Sequence, residues 1–321
     1  MAAIKNKVYV FLQRLFRANI NLLLILLIPI NRVLIKKLGR GRLKHQPIFI
    51  VGAPRTGSTA LYQALTNSSD VLYIDNLVAK FYRTLFLGFW LSNKVFKNRS
   101  HNNFESHYGM TSSSGLRGPN ECGQFWYRWL PRTKHFIDFK EVGSNSLKSI
   151  KEEITAVTNY FDRPIIFKNL NAGQRLRMIK EAFPDAKIIF ITRSPLYTAQ
   201  SILCAKRKLG IPDNKYWSIM PQNVKELSEM DWPEQISKQV YFIEKQIKSD
   251  MKLFPSTGCF TVHYENVDTS SIEQLISKLK LNKRKKLSCL NIKNMNRISL
   301  DPSEITLLEL ECNRLWGVPN E

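Results

Sequence analysis

Short apolar runs and amphipathic stretches alternate along this chain. Residues 48–51 (Ile-Phe-Ile-Val) and 187–192 (Lys-Ile-Ile-Phe-Ile-Thr) are apolar and rich in β-branched side chains. That is the pattern of strands buried on both faces of a sheet. Residues 164–168 and 259–264 read the same way, and 70–75 reads as a further strand. Helical patterning occupies 147–160, 172–183 and 236–253, and returns from residue 272 onward. A helix is expected to start at Ser58 and run through Ala60, Leu61 and Leu65. Another starts near Pro195, where a missing N–H costs little in a first turn. Strands alternating with helices predict an α/β fold, a three-layer sandwich around a central parallel sheet.

Three stretches depart from this rhythm. Residues 77–96 are strongly apolar and aromatic, including Phe81, Tyr82, Phe86, Phe89 and Trp90, and fit either a buried helix pair or a membrane-facing surface. Residues 101–119 are polar and rich in Ser, Gly and Asn, the composition of a mobile loop able to act as a substrate lid. Residues 121–130 then return to an aromatic helix.

The amino-terminal stretch is the third departure. Its apolar run, 22–30, closes at Pro29-Ile30 and is shorter than the roughly 20 residues a spanning helix needs. No small-residue cleavage site follows it. Lys5, Lys7, Arg14 and Arg17 lie on one side of it, and Arg32, Lys36, Lys37, Arg40, Arg42 and Lys44 on the other. The spacing of Val8, Phe11, Leu12, Leu15 and Phe16 is amphipathic. The expectation is a helical segment, residues 1–45, lying on an anionic membrane surface. A single-span anchor and a core-packing helix are the alternatives. Residues 46–321 form the second unit.

Charge sharpens that expectation. Lys and Arg number 48 against 26 Asp and Glu, a formal net charge of +22. Such a field attracts anionic lipid, anionic substrates and polyanions. No zinc-finger spacing or nucleic-acid signature accompanies it, so nucleic acid is not an expected partner. The five cysteines are scattered with no CxxC pair, which argues against a disulfide scaffold or zinc site and fits a reducing compartment. No ligand cluster suggests any other metal.

The chemistry lies where the first strand ends. Gly52-Ala-Pro54-Arg55-Thr56-Gly57-Ser58-Thr59 links that strand to the next helix. A glycine loop opening a helix aims backbone N–H groups and the positive end of the helix dipole at an anion. The spacing nearly matches a nucleotide-hydrolase loop, but Ser58 stands where that loop carries its lysine. The site is thus poorly built to bridge β- and γ-phosphates around Mg²⁺. It can still grip a 5′-phosphate, with Arg55 neutralising a transferred group.

Pro54-Arg-Thr-Gly-Ser-Thr59 resembles the loop of sulfotransferases that use 3′-phosphoadenosine 5′-phosphosulfate (PAPS), and the chain looks most like the bacterial type related to carbohydrate and protein-tyrosine sulfotransferases. A second motif supports the resemblance: a strand ending in Arg193, then Ser201 eight residues later, about 140 residues beyond the first motif. The resemblance spans roughly residues 47–267. It implies a P-loop-type fold and transfer of a sulfuryl group from PAPS, without a metal, to an acceptor hydroxyl. That acceptor is expected to be a glycan, glycolipid or other membrane-linked molecule, and the enzyme a cytoplasmic peripheral membrane protein.

By the same resemblance, Thr56, Gly57, Ser58 and Thr59 bind the nucleotide with Arg55. Arg193 and Ser201 take the 3′-phosphate, and Tyr264 lies near the nucleotide. Arg55 stabilises the sulfonate. Lys168, at a strand end, either assists it or is a solvated strand end. The general base stays open between Glu121, which follows Gly118-Pro-Asn120, and Asp75. Glu121 can equally be a dipole partner at a helix start. His101 and His107 lie in the polar loop, more suited to solvation than to catalysis. Arg297 and the run Lys283–Lys286 either close over the 3′-phosphate or form a solvated face. A P-loop kinase or NTPase, and a non-catalytic membrane-surface protein of the same fold, are the competing readings.

Overall fold

A computed structural model describes residues 26–105, 111, 113–284 and 296–317. Its centre is a five-stranded, wholly parallel sheet in the order β2 (Leu72–Tyr73), β3 (Ile165–Lys168), β1 (Ile48–Val51), β4 (Lys187–Thr192), β5 (Cys259–His263). β1 pairs with β3 from Ile48 opposite Ile166, and with β4 from Ile48 opposite Lys187. All four residues of β1 are fully buried, as its unbroken apolar run requires.

The period-2 alternation of a strand divides the core into two layers. Ile48 and Ile50 face one side, with Ile166, Ile189 and Ile191, against Leu61 and Leu65 of helix Ser58–Ser68 and Leu275 of helix Thr269–Lys278. Phe49 and Val51 face the other, with Phe167 and Phe190, against Ile154 and Val157 of helix Ser144–Phe161 and Val240 and Ile243 of helix Trp232–Met251. The result is the expected three-layer α/β sandwich.

On the second side an aromatic cluster extends the core toward the site. Phe49 stacks on Phe167 at 5.3 Å between ring centroids, and Trp126 meets Phe167 edge-on at 5.3 Å. Such pairs add about 0.5–1.5 kcal/mol each beyond simple burial. They pin the short helix Gly123–Trp126, which replaces the longer 121–130 helix expected from the sequence. Strand 70–75 likewise shrinks to Leu72–Tyr73.

The apolar stretch 77–96 forms helices Asn76–Lys80 and Leu85–Phe96. Phe86 and Phe89 are buried in the core, while Trp90 is exposed. Of the amino-terminal segment, helix Ile28–Leu38 lies among the described residues, with Leu34, Ile35 and Leu38 packed against the core. The amphipathic pattern of residues 8–16 lies outside them. Among the described residues, no helix is long and apolar enough to cross a membrane.

Candidate active site

The carboxyl ends of β1, β3, β4 and β5 converge on a pocket of about 450 Å³. Pro54, Arg55, Gly57, Ser58 and Thr59 line it from the first loop, Lys168 from β3, Arg193 from β4 and Tyr264 from β5. Open parallel sheets place ligands at this end. A second groove, of about 350 Å³, lies between β5 and helix Thr269–Lys278 and contains none of the motif residues.

Two backbone features make the loop. Gly52 lies so close to β4 that a Cβ there would stand 2.5 Å from the Ile191 carbonyl oxygen. Gly57 has φ +82°, and its Cβ would stand 2.3 Å from the Tyr264 ring. Both positions therefore demand glycine. Arg55 is also left-handed, at φ 70°, an uncommon conformation for a side chain-bearing residue. Its Nε donates to Ser201 Oγ at 3.1 Å. The first-turn N–H groups of helix Ser58–Ser68 have no intrahelical acceptor, the arrangement that can hold an anion. Thr56 is fully buried, and its hydroxyl donates to the Ala53 carbonyl at 2.9 Å, bracing the loop from within.

Beside the loop, Arg193 donates from Nη1 to the Arg55 carbonyl at 3.0 Å and from Nε to Asn296 Oδ1 at 2.7 Å. Its guanidinium carbon lies 4.9 Å from the Tyr264 ring centroid. Glu265 accepts from the Ser194 N–H (2.9 Å) and from Asn296 Nδ2 (3.0 Å). Burial raises the pKa of that carboxyl, but these donors and Arg193 outweigh it and hold it below the ordinary glutamate value. Arg55, Arg193 and Ser201 thus meet although 146 residues separate the outer two.

The third group is a chain of side chains. Lys168 is 2% exposed at the end of β3, and donates from Nζ to Thr59 Oγ1 at 3.0 Å and to Glu121 Oε1. Lys168 is therefore a paired, buried cation and not a solvated strand end. Among the described residues Glu121 Oε2 has no partner, and Glu121 is 35% exposed on the pocket wall. Asn120 holds the turn ahead of it, accepting from the Cys122 N–H at 2.7 Å and donating to Asn76 at 2.7 Å.

The opposite wall is made of Leu170, Asn171, Trp217, Ser218, Ile219 and His135. Gln239 anchors this loop by donating to the Trp217 and Ile219 carbonyls at 2.8 and 3.1 Å. His135 Nδ1 accepts from the Met220 N–H at 2.9 Å. Burial, aided by the nearby Arg175 cation, pushes its pKa down to about 4. At neutral pH the ring is uncharged with its proton on Nε2, which has no protein partner among the described residues. A neutral His135 with its proton on Nε2 can donate to a ligand in this pocket.

Residues 47–277 match the sequence profile of the sulfotransferase family. The chain belongs to the sulfotransferase family. A curated relative, omega-hydroxy-beta-dihydromenaquinone-9 sulfotransferase Stf3 of Mycobacterium bovis, is 28% identical over 164 residues, 46% of this chain and 42% of that protein. The Mycobacterium tuberculosis protein of the same name matches equally. The alignment thus spans less than half the length of these curated relatives. Among solved structures, sulfotransferase STF9 from Mycobacterium avium superposes with a TM-score of 0.50 at 12% identity, covering 89% of this chain and 71% of that one. Sulfotransferase STF1 from Mycobacterium tuberculosis gives a TM-score of 0.49 at 15% identity, covering 85% and 77%.

The structure also departs from several sequence expectations. Asp75 is not a base poised in the pocket. It is fully buried, caps helix Asn76–Lys80 by accepting from the Val78 N–H at 2.7 Å, and pairs with Arg117 at 2.7 Å and Ser92 at 2.6 Å. The 101–119 loop is tied down wherever it is described. Asn76 Nδ2 donates to the Thr111 and Gly115 carbonyls at 2.7 Å each, and Arg117 joins Asp75. His101 is neither solvated nor catalytic: it is 3% exposed beside Thr66 at 3.0 Å, and burial lowers its pKa to about 4.

Neither does the basic run behave as one unit. Arg284 donates to the Ser69 and Asn98 carbonyls at 2.9 and 2.5 Å, next to β2 and outside the pocket, and Lys283 pairs with Glu273 at 2.6 Å. His107, Lys285 and Lys286 lie outside the described residues. Among those described, no cluster of His, Cys, Asp or Glu could hold a metal ion.

Sequence reasoning missed His135, Asn296, Glu265 and the Trp217–Ile219 wall. None sits in a repeated spacing, and each reaches the site only through long-range packing.

Proposed function

We propose that this enzyme transfers the sulfuryl group of PAPS to a hydroxyl of a membrane-linked acceptor, a glycolipid, glycan or lipid alcohol. The carrying observation is the convergence of Arg55, Arg193, Ser201 and the Lys168–Glu121 pair at the carboxyl end of the sheet. The donor set fits this co-substrate: an N–H cradle for the 5′-phosphate, Arg193 and Ser201 for the 3′-phosphate, and an aromatic face at Tyr264. When bound, PAPS supplies a sulfuryl group whose bridging oxygen leaves with the 5′-phosphate.

The residues of the chain supply the rest. Glu121 Oε2 takes the proton from the acceptor hydroxyl as its oxygen bonds to sulfur. Lys168, fixed by Thr59 and Glu121, and Arg55 offset the charge on the sulfonate oxygens and the departing phosphate. His135 donates from Nε2 to an acceptor oxygen. The apolar side chains of Leu170, Trp217 and Ile219 favour an acceptor with an apolar body beside its hydroxyl. The omega-hydroxy-beta-dihydromenaquinone-9 in the names of the curated relatives accords with an acceptor of that kind.

Calorimetric titration with 3′-phosphoadenosine 5′-phosphate (PAP), against adenosine 5′-phosphosulfate and ATP–Mg²⁺, tests the reading. Metal-independent PAP binding that weakens without the 3′-phosphate is expected. Preference for ATP–Mg²⁺ would overturn it in favour of phosphoryl transfer.

A further inference from the structure

Helix Ile28–Leu38 has two unlike faces. Leu34, Ile35 and Leu38 pack inward. Outward stand Ile30 and Val33, 53% and 66% exposed, with Leu26 just ahead of the helix at 64%. Arg32, Lys36, Lys37, Arg40 and Arg42 are exposed along the same stretch. Helix Leu85–Phe96 lies beside it, the Leu87 N–H donating to Asn31 Oδ1 at 3.4 Å. This second helix turns out Trp90 (43% exposed), Val95 and Lys94, with Lys94 Nζ 5.8 Å from the Trp90 ring centroid. Arg83 and Lys97 flank it, also exposed.

Scattered apolar side chains on a surface are ordinary. Here they cluster on two touching helices and alternate with cations. The charge is one-sided as well. No Asp or Glu precedes Asp70, and only Asp75 lies between it and Glu105. Asp70 pairs with Arg163 and Asp75 with Arg117, so neither offsets the surface cations. An apolar stripe set among lysines and arginines, with an aromatic ring beside a lysine, matches the boundary between lipid headgroups and acyl chains.

We propose that the two-helix surface of Ile28–Leu38 and Leu85–Phe96 docks on an anionic lipid bilayer. Leu26, Ile30, Val33 and Trp90 enter the headgroup–acyl boundary, and the surrounding lysines and arginines meet lipid phosphates. This deepens the reading of a membrane-linked acceptor and rests on it for its purpose. The docking residues are not part of the pocket, so docking and nucleotide binding can fail independently.

The test uses the full chain, co-sedimented with phosphatidylcholine vesicles with and without phosphatidylglycerol, with PAP affinity measured on the same preparation. Pelleting should require phosphatidylglycerol and weaken with added salt. The double substitution Ile30→Glu, Val33→Glu should cut partitioning by about tenfold or more, and Trp90→Glu should cut it less, with PAP affinity unchanged in both. Three results would overturn the proposal: no binding to phosphatidylglycerol vesicles, binding unaltered by these substitutions, or a dimer in solution that they dissociate, which would make a second copy the occupant. Loss of PAP binding with vesicle binding retained would instead overturn the transferase reading.

Discussion

The two sides of the pocket are built on different principles. The first loop, proposed to hold the 5′-phosphate, is local and dominated by backbone: a tight turn, a helix start, and two glycines whose hydrogens are the only substituents that fit. The wall proposed to meet the acceptor is assembled from remote side chains. Glu121 arrives from the turn ahead of a short helix pinned by aromatic packing, His135 from an irregular segment, and Trp217 and Ile219 from a loop hung on Gln239. The phosphate side suits a ligand that never changes, since backbone N–H groups survive most substitutions. The acceptor side can be altered residue by residue without touching the cradle.

That contrast implies separable losses. The largest belongs to Glu121→Gln, which keeps an oxygen acceptor for Lys168 but removes the base. Single-turnover assays should show the transfer rate falling by about 10²–10⁴-fold, with PAP affinity within about twofold of the parent. An unchanged rate would leave Glu121 as a mere partner of Lys168. Arg55→Ala follows, with an expected loss of about 10²–10³ in kcat. It is the one substitution that should harm both halves, since Arg55 also contacts Ser201.

Arg193→Ala confines its damage to the phosphate side. Calorimetry should find PAP binding weaker by about 1.5–3 kcal/mol, the worth of a charged hydrogen bond. If binding of adenosine 5′-phosphosulfate, which lacks the 3′-phosphate, weakens as much, Arg193 does not read that group. His135→Phe should do the reverse. It should raise the acceptor KM by about tenfold, equivalent to one hydrogen bond, and spare PAP affinity. His135→Gln, which keeps a donor, should recover part of the loss. A collapse of kcat in His135→Gln would instead assign proton transfer to the imidazole.

The remaining effect is on stability and leaves the reaction aside. Burial holds both His101 and His135 at about 4, below the ordinary imidazole value of about 6.5. Above 6.5 each is neutral whether the chain is folded or not. Between about 6.5 and 4 the unfolded chain takes up protons that the folded one refuses, so stability is lost as the pH is lowered, by up to about 1.4 kcal/mol per pH unit for each histidine. Denaturant titrations across this window should show that slope, and His101→Gln should flatten it. A pH-independent midpoint would mean that neither ring is held neutral.

Legibility in the sequence divided along the same line as the pocket. The strand 48–51, the loop to Thr59, and the Arg193–Ser201 spacing were readable because each is a short-range pattern. A strand's period and a loop's glycines act on their own neighbours. Asp75 was misjudged because a carboxylate near a strand end looks alike whether it faces a ligand or caps a helix. Only packing revealed Ser92 and Arg117 as its partners. In the described part of the loop at 101–119, the Thr111 carbonyl is taken by Asn76, Arg117 by Asp75 and the Ser114 hydroxyl by the Glu105 carbonyl, contacts that its polar composition does not announce.

By itself, then, the sequence determined the α/β class, the glycine loop after the first strand, the strand-end Arg193 with Ser201 on the next helix, and the family. Periodicity, glycine geometry and fixed spacing are carried within a few residues, and they persist whatever surrounds them. Tertiary structure alone decided that Lys168 and Glu121 form one unit with Thr59, that Asp75 serves the fold, and that His135 lines the pocket with Nδ1 already taken by the Met220 N–H. Each of these depends on which groups are left without water and which partners packing brings within hydrogen-bond reach. A linear chain does not state those distances.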